Sequence, residues 1–194
     1  MAVHETLEAP RIEAADVEEH AREFPRDALL VKQASSSIGF SGRPDREAYR
    51  AAFLESLAPA YGEDWWYQSE LGFVCHEVGR FDESRRLSER SLAQYPGNAN
   101  ASHNLAHVYF ETLDNDGGVA FLEDWLAGYE RGAPYHCHLA WHLAMFELHR
   151  GRYARALDRD GVRPVADLVD RYNAIVAEMS EDGADFDALG TEMG

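Results

Sequence analysis

The chain has 194 residues, 45% hydrophobic and 27% charged, a balance that suits a globular protein with a buried core. Its formal net charge of −17 disfavours sequence-independent binding to nucleic acid or to an anionic membrane surface. No run of about 18 apolar residues occurs, so no membrane span is expected.

The chain opens Met1-Ala2-Val3-His4-Glu5, without the basic-then-apolar plan of a signal peptide, and a cytoplasmic location is expected. Hydrophobic spacing and turn residues predict helices over about 13–24, 28–40, 45–60, 64–77, 82–94, 98–112, 117–130, 135–149, 152–159 and 163–179. No alternating strand pattern of useful length competes with them. The last helix carries Val165, Leu168, Val169, Tyr172, Ile175, Val176 and Met179 at steps of mostly three and four, with Pro164 in its first turn, and is expected to cap the domain. From Glu178 to Gly194 there are six acids, no Lys or Arg, and three glycines. The expected organisation is an N-terminal extension at 1–12, a helical-repeat domain at 13–180 and an acidic disordered tail at 181–194.

A repeat underlies the helices. Gly-Arg recurs at Gly42-Arg43, Gly79-Arg80 and Gly151-Arg152, one period and then two apart, and the skipped turn is expected within Asp114-Asn115-Asp116-Gly117-Gly118. Pro25 and Pro96 are separated by two periods. Within Trp65–Pro96, Leu71, Gly72 and Cys75 supply the small and apolar face of a first helix. Gly79-Arg80 makes the turn, Ser84 is the small residue where helices cross, and Leu87, Ser91 and Leu92 continue the inner face of the second helix. Leu143, Ala144, Gly151, Tyr153 and Ala156 repeat that register. The fold class is therefore all-α, a right-handed superhelix of four or five antiparallel helix pairs of the tetratricopeptide-repeat kind.

Four phrases carry a family likeness: Glu23-Phe24-Pro25-Arg26-Asp27, Asp64-Trp65-Trp66, Ala101-Ser102-His103-Asn104-Leu105-Ala106-His107-Val108, and His138-Leu139-Ala140-Trp141-His142-Leu143-Ala144. Over roughly residues 18–160 the chain resembles the tetratricopeptide repeat protein 38 family, corresponding to the middle of that family's longer plan. The resemblance implies a helical-repeat fold and a soluble location, and carries no established activity with it.

No nucleotide-binding Gly loop, Gly-x-Ser-x-Gly elbow or His-Glu-x-x-His is present, so no catalytic motif is complete. Ser35-Ser36-Ser37 reads as a small-residue helix crossing rather than a nucleophile. Cys75 and Cys137 are in no metal-type spacing and fall at packing places of first helices, where buried or half-buried reduced thiols are expected. Histidines are the unusual feature: His103 and His107 are four apart, as are His138 and His142, so each pair shares a helix face. Numbered from Trp65, Ala99 and Cys137, the groove places of successive first helices fall on Trp66, Ser69, Phe73 and His76, on Asn100, His103, His107 and Phe110, and on His138, Trp141, Met145 and Leu148. Lys32, the only lysine, takes an equivalent place earlier. Asn100 offers an amide donor, although a helix-start role is the expected one.

These residues predict a binding or scaffold protein whose concave groove, with His103, His107, His138, Trp141, Trp66, Phe73 and Lys32, takes a protein, peptide or small molecule; self-association is a further option. The plain alternative is that the histidines are interhelix hydrogen-bonding residues. A third reading is a metal-dependent or His-based enzyme using His103, His107, His138 and His142 with a divalent metal, completed by Glu111 or Glu147; no cofactor is otherwise expected.

Overall fold

The structure is a computed structural model and describes residues 14–157. The predicted extension at 1–12, the predicted helix at 163–179 and the predicted tail at 181–194 lie outside them. Among the described residues every regular element is a helix, and the chain divides into two compact units after Thr112.

The first unit holds α1 (Ala14–Glu23), α2 (Ala28–Gly39), α3 (Arg46–Tyr61), α4 (Trp65–Glu77), α5 (Phe81–Gln94) and α6 (Ala99–Glu111). The second holds α7 (Asn115–Ala127), α8 (His136–His149) and α9 (Tyr153–Leu157). The predicted helices within 14–157 recur here, with ends displaced by up to three residues. Three starts are chemically alike: Asp27 accepts from the Leu30 amide, Asp64 from the Trp66 and Tyr67 amides, and Asn98 from the Asn100 and Ala101 amides. A short carboxylate or amide oxygen here satisfies amides that have no helical partner.

Fifteen residues after each cap the chain turns with a left-handed residue: Gly42 at φ 72°, Gly79 at φ 77° and Leu113 at φ 59°. Gly151, at φ 70°, closes α8 in the same way. At Gly79 and Gly151 the closure is identical. The next residue's amide, of Arg80 or Arg152, donates at 2.8 Å to the carbonyl five residues earlier, of Cys75 or Glu147. This is the paired-bond cap that favours glycine, and the two predicted Gly turns stand. The third turn differs from expectation. Leu113 makes it, while Asn115-Asp116-Gly117-Gly118 forms the first turn of α7, with Asp114 Oδ1 accepting from the Gly117 amide at 2.9 Å.

In the first unit, Val31, Ala34 and Ile38 of α2 pack with Ala51, Phe53, Leu54 and Leu57 of α3 and Tyr67 and Val74 of α4. Tyr67 stacks on Tyr61 at 4.6 Å and donates its hydroxyl to the Leu54 carbonyl at 2.7 Å. The α4–α5 crossing is built from small residues: a Cβ on Gly72 would lie 2.9 Å from the Ser88 hydroxyl, and Ser84, Ser88 and Ser91 are all buried. In the second unit, Gly118 of α7 abuts the fully buried Phe146 ring of α8. Glu147 is also buried there, ringed by the guanidiniums of Arg150, Arg152 and Arg155 at 3.6–3.8 Å. Cys75 is buried as expected, but Cys137 is exposed, because it lies in the first turn of α8 on its outward side.

Candidate functional site: the first-helix faces

In the first unit, α2, α4 and α6 carry the predicted groove residues, and a buried carboxylate ties the three helices together. Glu70 of α4 receives Lys32 Nζ of α2 at 2.7 and 2.8 Å and Asn100 Nδ2 of α6 at 3.2 Å. Asn100 also donates to the Ser69 hydroxyl at 3.3 Å, and Asn104 donates to the Ser69 carbonyl at 2.8 Å. Asn100 is therefore an interhelix donor and not the helix-start cap, because Asn98 already takes the capping place. Lys32 is an exposed side chain held by a counter-charge, not an unpaired cation.

Trp66 and Phe73 are both half-buried on α4. Trp66 packs against Tyr61, ring centroids 5.5 Å apart. Phe73 lies beneath the Arg50 guanidinium, whose central carbon is 5.0 Å from the ring centre. Arg50 is itself buried and gives its Nε–H to Ser35 at 2.9 Å, so the serine run packs a cation, as a crossing and not as a nucleophile. Burial pulls the Arg50 pKa below its ordinary value. Phe73, Arg50, Gly39, Phe40, Glu47 and Glu77 contribute to a cavity of about 560 Å³.

Further along α4 and α6 the imidazoles gather. His107 Nε2 is 2.8 Å from His103 Nε2, with the rings at 89°. The ring centre of His76 is 4.9 Å from that of His107. His76 turns Nδ1 to the Glu77 carboxylate at 3.1 Å, and this bond holds the Glu77 carboxyl below the usual range. That leaves His76 Nε2 buried without a hydrogen-bond partner.

In the second unit, α8 presents His138, Trp141 and His142. His138 Nε2 is 3.2 Å from His142 Nε2, the rings again at 89°. Trp141 is exposed, stacks on His138 and meets the buried His142 edge-on. His138 is exposed as a residue, yet its ring is partly desolvated, which lowers its pKa. Glu147, expected as one of two carboxylates that could complete a metal centre, is engaged by its arginines, and Glu111, the other, is exposed.

Glu70 and Arg50 were not legible as site residues. The signal for Glu70 was an acid two residues before Gly72, on the packed face of a first helix, about one repeat beyond the only lysine. Arg50 left no comparable mark.

Solved structures place this arrangement in context. MamA from Desulfovibrio magneticus RS-1 matches at TM-score 0.60 and 14% identity, over 81% of this chain and 84% of that one. Another crystal structure of MamA matches at 0.58 and 10% identity, over 83% and 89%. MamA of MSR-1 matches at 0.56 and 14%, over 82% and 86%. MamA is a helical-repeat protein of the tetratricopeptide type. This chain has that fold. At such identities the likeness speaks for fold alone, and no family model matches the chain. Among the described residues, no helix is long and apolar enough to cross a membrane.

Proposed function

We propose that the chain is a tetratricopeptide-type scaffold, related to the middle portion of the tetratricopeptide repeat protein 38 family, that binds an extended protein segment on its first-helix faces in the cytoplasm. The observation that carries this reading is the Lys32–Glu70–Asn100 bridge, which joins α2, α4 and α6 into one continuous surface in the first unit. Trp66, Phe73, His103 and His107 supply apolar area and hydrogen-bonding edges on that surface. In the second unit His138 and the exposed Trp141 offer the same chemistry on α8. A half-exposed aromatic bound to a polar neighbour is the usual anchor of a protein interface.

Selection from a displayed random-peptide library with the full chain tests it. Peptides that bind should lose at least about tenfold in affinity to Trp66→Ala or His103→Ala, as interface anchors do. They should be indifferent to Glu89→Ala on the exposed side of α5. Peptides equally sensitive to Glu89→Ala, or no selectable binder, contradict the reading.

A further inference from the structure

Two histidine pairs repeat one geometry, each on its own helix. His103 and His107 of α6 bring their Nε2 atoms to 2.8 Å, and His138 and His142 of α8 bring theirs to 3.2 Å; in both pairs the rings stand at 89°. Without metal, such a contact requires one Nε2–H to donate and the other Nε2 to accept. With that proton carried on Nδ1 instead, both rings stay neutral and each Nε2 offers a lone pair. Two nitrogens each about 2.0–2.1 Å from a shared ion, at an angle between square and tetrahedral, are separated by roughly 2.8–3.4 Å. Both separations fall within that window.

We propose that each pair, His103 with His107 and His138 with His142, is a two-imidazole chelate for a borderline divalent transition-metal ion such as Zn(II). The i,i+4 spacing fixes both members on one face, so the helix holds the bite before the ion arrives. Neutral imidazole is the ligand such ions favour. Beside the first pair, the His76 ring centre lies 4.9 Å from that of His107, and the Glu77 carboxylate holds His76 at 3.1 Å. The remaining coordination places are left to water or further ligands.

The inference does not rest on the partner-binding reading: Zn(II) binding without peptide and peptide binding in chelator report separately. Zn(II) titration of the chelator-stripped full chain, followed by calorimetry, tests it. His103→Ala and His138→Ala should each weaken Zn(II) binding at their own pair by about tenfold or more. Each double replacement should cost little beyond the single, since a chelate broken at one tooth is already lost. If a variant loses its helical circular dichroism, nitrogen-15 imidazole spectra of the unaltered protein decide: Zn(II) should shift both Nε2 signals of each pair together. No Zn(II) uptake, unchanged affinity in the single variants, or unmoved Nε2 signals overturns the proposal. Uptake confined to one pair overturns it for the other.

Discussion

Lys32 Nζ lies 2.7 and 2.8 Å from the two carboxylate oxygens of Glu70, although 38 residues separate them in the chain. The glutamate side chain is 5% exposed and the lysine 46%, so the pair is half inside and half outside. Solvent screens the lysine end, and the pair alone is worth little more than a surface bridge. Replacing Glu70 costs more, because Asn100 then loses one of its two acceptors at a half-buried place and Lys32 loses its counter-charge. Glu70→Ala should destabilise by about 1–3 kcal/mol and Lys32→Met by less than about 1 kcal/mol. Urea unfolding of both variants checks the order, which equal effects or a larger loss in Lys32→Met would contradict.

The left-handed turns make a second test. Leu113 holds φ 59° where Gly42, Gly79 and Gly151 do the same duty, and it is 74% exposed, so it gives up little packing when removed. A left-handed backbone costs a non-glycine residue about 1–2 kcal/mol, while added glycine freedom in the unfolded chain costs about 0.5–1 kcal/mol. Leu113→Gly should therefore be neutral to stabilising, by up to about 1 kcal/mol. Gly151→Val runs the other way and should cost about 1 kcal/mol or more, though nothing lies within 4 Å of a Cβ there; the cost is backbone alone. Thermal melts of the two variants should move in opposite directions.

Much of this repeat was legible in the sequence. Gly79-Arg80 and Gly151-Arg152 mark their turns because only the residue type reports a left-handed backbone, and Gly is the residue that does so cleanly. Leu113 was not legible for the same reason: a leucine advertises no turn, and the adjacent Asp-Asn-Asp-Gly-Gly run attracts the turn reading that belongs to a helix start. Periodicity brought the histidine pairs onto common faces, because four residues is about one helical turn. It could not foresee the Glu70 bridge or the burial of Arg50, since those depend on which neighbouring helices meet. Nor could spacing tell buried Cys75 from exposed Cys137.

Gly118 carries the tightest packing test. A Cβ there would come within 2.6–2.9 Å of the fully buried Phe146 ring, which has no free end to swing away. Overpacking of that kind costs about 1–3 kcal/mol, against about 1 kcal/mol gained from the better helix former. Gly118→Ala should be destabilising by up to about 2 kcal/mol in denaturant titration, and a stabilised variant would contradict the packing.

The cysteines should differ in reactivity. Burial pushes the Cys75 thiol up to about 12, so almost none of it is thiolate at pH 8, and the residue is wholly inaccessible. Cys137 is exposed. Brief iodoacetamide treatment of the native chain should modify Cys137 and spare Cys75, as peptide mass mapping would reveal; denaturant should release both.

The most direct test of the continuous first-helix surface is an amide shift map of the nitrogen-15-labelled full chain, titrated with the tightest peptide from the displayed library. The account predicts the largest changes at Trp66, Ser69, Phe73, Asn100 and His103, with α3 and α5 little moved. Changes concentrated on the exposed sides of α3 and α5, with those five amides still, would contradict it.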